Sequence, residues 1–390
     1  MNGKSLILSG ALLVLTACGG GDDADNSFLL QDFQEAAVVL GQTDGVTPGS
    51  NANSAEPNAI GLSAPFGAPA RAGGRRWVPD QGNPRHVVFP GNPEADGTAA
   101  LYALGQPDLT SRDAEPASAT RFTAVDCCVD DGRLFVVDLN NHRVLIWNSL
   151  PDAGTPADVV VGQPNFTESS SGTTASKFTT PIRVRVANGR MFVTEFSNNR
   201  VLVWNTIPTT NGVPADLVIG QRDFTSNGTD LNDFQFGNPR ALWTDGTRLA
   251  VGDSRNQRVL WWETIPTVNG QAADFVIGQP DFTTRGSTVD SFHVGGPNDL
   301  DAFDGNLYVV DTQNHRVVAF AFPTANFPEA NLVLGQSDFA RGTPQDDDQD
   351  SIEDGNPSRR VFRNPIGIRH IGRRLWVSDQ SHHRIVGFDG

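Results

Sequence analysis

The sequence predicts an all-β fold: a six-bladed β-propeller closed by an N-terminal strand that completes the last blade. Three observations predict it. First, an acid, a four-residue turn and an arginine recur six times. The acids are Asp80, Asp138, Glu195, Asp253, Asp311 and Asp379, and the arginines are Arg85, Arg143, Arg200, Arg258, Arg316 and Arg384. The step between acids is 57 or 58 residues, except for a last step of 68. Second, each unit carries four short runs of β-branched and aromatic residues, with no helical period competing. Third, the sixth unit stops at Asp389-Gly390 after its third run, while a spare apolar run, Ala37 to Gln42, precedes the first unit. Repeated four-stranded units that close on themselves make a propeller, and closure removes exposed sheet edges.

Composition agrees with this fold and excludes some functions. The chain has 390 residues, of which 40 are glycine and 25 proline, so turns outnumber long helices. The formal net charge of -16 argues against nucleic acid as a partner, because phosphate backbones demand a basic face. Three cysteines cannot build a disulfide framework.

The elements follow in chain order. Met1-Asn2-Gly3-Lys4 and the apolar run Leu6 to Leu15 read as a secretory signal, too short to span a membrane as a helix. Leu15-Thr16-Ala17-Cys18 resembles the bacterial lipobox, which implies a signal peptide over 1–17, lipidation of Cys18 and anchoring to a membrane without spanning it. Residue +2 is Gly19, not aspartate, which favours the outer membrane, with the chain periplasmic or surface-exposed. Residues 18–36 are expected to be a flexible tether, and 37–390 the propeller.

Blade two shows the expected unit. Strand one runs from Phe122 to Val129, strand two from Arg133 to Asp138, strand three from Arg143 to Trp147, and strand four from Asp158 to Gly162. Leu139-Asn140-Asn141-His142 supplies the tight turn between strands two and three. Strand four closes in Gly-Gln in every unit, at Gly41-Gln42, Gly105-Gln106, Gly162-Gln163, Gly220-Gln221, Gly278-Gln279 and Gly335-Gln336.

The turns Asp138-Leu139-Asn140-Asn141-His142-Arg143-Val144, Asp311-Thr312-Gln313-Asn314-His315-Arg316-Val317 and Asp379-Gln380-Ser381-His382-His383-Arg384-Ile385 resemble the core motif of the NHL repeat family. Blade one departs, with Pro84 before its arginine. The resemblance implies a six-bladed propeller. It does not imply one function, because NHL propellers include interaction modules, lyases and esterases.

A feature repeated six times reads as structural, so each acid and arginine should pair across the turn and bond loop backbone. The loop aspartates Asp108, Asp223, Asp281 and Asp338 should stitch neighbouring blades. Chemistry belongs where the units differ. Strand-one columns expected to face the channel bring Asp126, Asp299 and Asp301 opposite Arg71, Arg183, Arg185 and Arg369, a set able to hold a small zwitterion or anion, or to neutralise itself. Catalytic NHL relatives use channel histidines and a metal. Here His142, His315, His382 and His383 lie in turns, and only His293 and His370 lie near strand one, so ligand spacing is absent. Cys127 and Cys128 are open to three readings: one packed and one unpaired thiol, a vicinal disulfide, or Cys128 with Asp126 on a soft metal.

The long last step comes from an acidic insertion, residues 345–355. Asp346, Asp348, Asp350, Glu353 and Asp354 offer oxygen ligands for calcium, or form a solvated acidic loop. The leading expectation is a lipid-anchored binding or scaffold propeller engaging a protein or glycan through its loop face. The alternative is a channel-centred lyase or hydrolase, with or without a metal.

Overall fold

A computed structural model describes residues 28–113 and 116–390, and it is a six-bladed β-propeller. Each of its six sheets has four strands, in sequential order in five of them and with the N-terminal strand outermost in the sixth. Blade two comprises Ala124–Asp130, Arg133–Asp138, Arg143–Trp147 and Val159–Val161. Blade six takes its three inner strands, Pro365–Ile371, Arg374–Asp379 and Arg384–Asp389, from the end of the chain. Its outer strand is Val38–Leu40, antiparallel to Arg384–Asp389 with Val39 opposite Val386. First strands of neighbouring blades touch all the way round, blade six against blade one included.

The core is divided in the same way. Six clusters of buried apolar side chains lie one at each blade interface. Strand residues alternate between two such interfaces, because successive side chains point to opposite faces of a sheet. Cys127 therefore packs toward blade one with Trp77, and Cys128 toward blade three with Val184. The aromatic four residues after each arginine sits in these clusters, and in blades two, three, four and six it meets a phenylalanine from the loop before strand one, edge-on in Phe122–Trp147 at 5.7 Å and Phe178–Trp204 at 5.9 Å.

Residues 28–36 correct the expected tether. Phe28 and Leu30 pack on the apolar cluster between blades five and six. Asp32 Oδ1 accepts the Val333 amide at 2.9 Å. That bond has counterparts around the ring: Asn211, Asn269 and Asn326 accept the amides of Val160, Val218 and Val276 in the preceding blade. Those asparagines lie in loops between strands three and four. The segment before the closing strand thus supplies blade six with its own strand 3–4 loop. Cys18 and residues 1–17 lie outside the described residues.

Candidate functional site

The repeated acid and arginine form the frame on which any site stands. The acid ends strand two and the arginine starts strand three, so antiparallel register places them opposite each other, as in Asp138 and Arg143. In blade two, Arg143 Nε donates to Asp138 Oδ2 at 2.7 Å, and both side chains are fully buried. Arg143 Nη1 donates to the Phe166 carbonyl, and Nη2 to the carbonyls of Ser118 and Arg121. Asp138 Oδ1 accepts the Thr123 amide at 2.9 Å. One ion pair therefore fixes the turn, the start of strand one and the loop that leaves strand four. The other five blades repeat the pair.

Stitching between blades falls to other residues than the loop aspartates. Asp108, Asp223 and Asp281 are exposed and accept amides and hydroxyls two and three residues ahead, which closes their own turns. Those local bonds hold the Asp108 and Asp223 carboxyls down at about 2. Asp338 likewise accepts the Ala340 amide. The stitch comes from the last residue of the strand 2–3 turn, which sits in the left-handed region in blades two to six, with φ 51 at His142 and 53 at Asn199. His142 Nδ1 accepts the Thr180 amide of blade three, Asn199 that of Asn238 in blade four, His315 that of Asn364 in blade six, and His383 that of Ala64 in blade one. Accepting at Nδ1 and partial burial both favour neutral imidazole, and the pKa values of His142, His315 and His383 are lowered by burial.

The channel set is brought together, but as internal bracing. Asp126, Arg183, Asp299 and Arg185 are at most 1% exposed, and Asp301 and Arg369 at most 7%. Arg185 reaches from blade three to Asp126 of blade two at 2.7 Å and to Asp299 of blade five at 2.7 Å. Arg183 Nε lies 3.2 Å from Asp299, and its Nη2 donates to the carbonyls of Asn298 and Ile366 on blades five and six. The carboxylates also hold the next blade's backbone: Asp126 accepts the Val184 amide, Asp299 that of Ile368 and Asp301 that of His370. Burial raises the Asp301 carboxyl pKa against the pull of Arg369, whose Nη1 is 3.8 Å away. The axis is thus crossed by guanidiniums that tie together blades two, three, five and six.

Register corrects one strand-one column. Arg71 lies opposite Arg76 in blade one, where Val129 lies opposite Leu134 in blade two. Blade one is therefore offset by one residue from the expected alignment, and Arg71 leaves the set. Cys128 and Trp243, also placed in that column, are buried in blade interfaces.

The vicinal disulfide is not formed. Cys127 is a free, fully buried thiol, and burial pushes its pKa up. The soft-metal reading of Cys128 with Asp126 has no third ligand beside it, because the one such group among the described residues is elsewhere. That group is acidic: ligand oxygens of Asp346, Asp348 and Asp354 lie within 4.8 Å of one another. Asp346 is buried and accepts the amides of Asp350 and Ser351. The other two expected ligands are outside this group: Asp350 accepts the Ile352 amide, and Glu353 pairs with Arg363 at 3.0 Å. Histidines do not converge among the described residues. His293 bonds Asp290, His382 lies between Asp379 and Gln345, and His370 stacks on Phe303 with centroids 3.7 Å apart.

The chain is similar in fold to solved propellers. A protein of unknown function from Bacteroides thetaiotaomicron aligns at 12% identity and TM-score 0.51, covering 91% of this chain and 75% of that one. The virginiamycin B lyase of Staphylococcus aureus aligns at 12% identity and TM-score 0.44, over 85% of this chain and 97% of the lyase. The WD40 propeller domain of Doa1 aligns at 8% identity and TM-score 0.49, over 91% and 96%. At these identities the likeness is one of fold. No protein-family profile and no curated protein sequence matches the chain.

Proposed function

We propose that this chain is a lipid-anchored binding or scaffold propeller of the cell envelope, of NHL-repeat type, which engages a protein or glycan through its loop face. The observation that carries this reading is the state of the channel carboxylates. Asp126 and Asp299 are buried, paired with arginine and bonded to the next blade's backbone. Groups so engaged serve closure of the ring rather than acid-base work on a substrate, which needs a free carboxyl within reach of the reacting proton. The face carrying the strand 4–1 loops instead offers exposed, locally rigid Asx turns at Asp108, Asp223 and Asp281. The NHL assignment draws support from the six acid–arginine turns, and the lipoprotein assignment from the sequence around Cys18.

A photo-crosslinking residue placed at Asp223 or Asp281 is expected to capture a partner in intact envelopes. The same probe at Asp304, in a strand 1–2 hairpin on the opposite face, is expected to capture none; a glycan partner would appear on a glycan array instead, competed by the same substitutions. A reaction lost in Asp301→Asn, with the melting temperature retained, would overturn the proposal in favour of a channel-centred lyase or hydrolase.

Calcium is proposed at Asp346, Asp348 and Asp354, a hard-oxygen set on the 4–1 loop between blades five and six. Calcium is expected to raise the melting temperature of the wild-type chain and leave Asp346→Asn unmoved. An equal response in both would remove the site.

A further inference from the structure

The residue four before each strand-two acid is Leu134, Met191, Leu249, Leu307 and Leu375 in blades two to six, and each is fully buried. In blade one it is Arg76, 1% exposed. A guanidinium thus occupies a position that five blades fill with aliphatic core. Each of the other buried arginines among the described residues has a carboxylate within 4.0 Å; Arg76 has none. Its Nη2 donates to the Gly91 carbonyl at 2.9 Å, and its guanidinium carbon lies 4.1 Å from the Trp376 ring centroid. Nε and Nη1 have no partner. Arg71 stands directly opposite on strand one, and like charges so placed repel.

Both side chains line a cavity of about 380 Å³ between blades one and six. Arg373 and Arg374 also line it, but Arg374 is engaged by Asp389, Glu94 and the Pro93 carbonyl, and Arg373 has a partner of its own. Arg71 and Arg76 are the lining guanidiniums left with open donors and no carboxylate of their own. Burial and the neighbouring Arg71 and Arg374 hold Arg76 down at about 9, so it stays charged at neutral pH. A buried unpaired charge is costly, and an anion shared by the two forks would relieve both the burial and the repulsion.

We propose that this cavity binds a phosphate-class oxyanion, held by Arg76 from the floor and Arg71 from the side. Tetrahedral oxygens let one group accept from two guanidiniums on facing strands. The volume leaves room for a small ester substituent. The cavity opens on the face of the strand 1–2 hairpins, where Phe28 packs against Phe303 and His370. The phosphate is either free or part of a lipid headgroup; only the second source depends on the lipid-anchor reading.

The test uses the full chain carrying Cys18→Ser, with inorganic phosphate against chloride at equal ionic strength, and vesicles of phosphatidylglycerol against phosphatidylcholine. Saturating phosphate is expected to raise the melting temperature by about 2–4 °C. Arg76→Leu, which restores the residue of the other blades, should lose the rise, and Arg71→Gln should weaken binding about tenfold or more. A response confined to phosphatidylglycerol vesicles and lost in both variants assigns the same site to a headgroup. Equal behaviour of wild type and both variants toward phosphate and vesicles overturns the proposal. Arg71 is partly exposed, so Arg71→Gln decides the question alone if Arg76→Leu fails to fold.

Discussion

Arg143 satisfies three loop carbonyls and a buried carboxylate from one guanidinium. Removing it leaves Asp138 charged and buried, so Arg143→Ala is expected to cost about 3–5 kcal/mol, read as a lowered denaturation midpoint. A loss under about 1 kcal/mol would mean the pair is not what fixes the turn. His86 follows the arginine of blade one, where the other blades carry Val144, Val201, Val259, Val317 and Ile385. It is fully buried, and burial pushes its pKa down to about 3 against the opposing pull of the Val78 and Asp126 backbone. The folded value lies below the unfolded value of about 6.5, so its contribution is complete above that pH and is lost as pH falls toward 3. Buried carboxyls whose pKa is raised, such as Asp138, contribute with the opposite sign. The prediction is therefore a difference: His86→Val should gain on wild type as pH drops from 7 to 4, measured by urea midpoints. Parallel pH profiles would show that His86 does not titrate with unfolding.

At the scale of elements, the closing strand is three residues long, Val38–Leu40, yet it completes a sheet whose other strands come from the far end of the chain. The Val39 amide is not spent on that sheet; it donates to Asp96 Oδ1 of blade one at 2.9 Å. Val39→Pro removes this donor from the blade six to blade one seam and forces the strand at its centre. A loss of about 3 kcal/mol or more is expected, with aggregation from the opened edge seen by light scattering. An unchanged melting temperature would show that closure does not depend on this strand. The strand itself is legible in the sequence as an apolar run ending in Gly-Gln. The docking of residues 28–36 is not, because Asp32 does the work of Asn211 or Asn269 with no shared motif around it. Glycine in Gly-Gln is demanded by the fold: at Gly162 φ is +90, and an added Cβ would lie 2.3 Å from the Phe178 ring.

Over the whole molecule, the two faces of the ring differ. The strand 4–1 loops, the Asx turns and the acidic insertion lie on one. The strand 1–2 hairpins, the Phe28 docking site and the arginine-lined cavity lie on the other. Phe28 lies ten positions after Cys18, so a lipid on Cys18 would hold the second face within about 36 Å of the membrane. The loop face would then point away from the bilayer, which is why the crosslinking contrast between Asp223 and Asp304 tests the orientation as well as the partner.

The sequence alone determined the blade count, the order of strands and the way the ring closes, because each is written in local repeats and each repeat folds by the same short-range pairing. It also marked the acid–arginine turns as structural, since six equal copies cannot be one active site. What only the tertiary structure decided concerns residues that meet across blades. Asp126, Arg185 and Asp299 come from three blades and are separated by 59 and 114 residues, so no spacing rule relates them. The offset of blade one, which moves Arg71 from the channel to the side of Arg76, follows from a register that a single residue changes. Stitching by His142, Asn199, His315 and His383 rests on left-handed turns that place a side chain against the next blade, a relation fixed by packing around the ring.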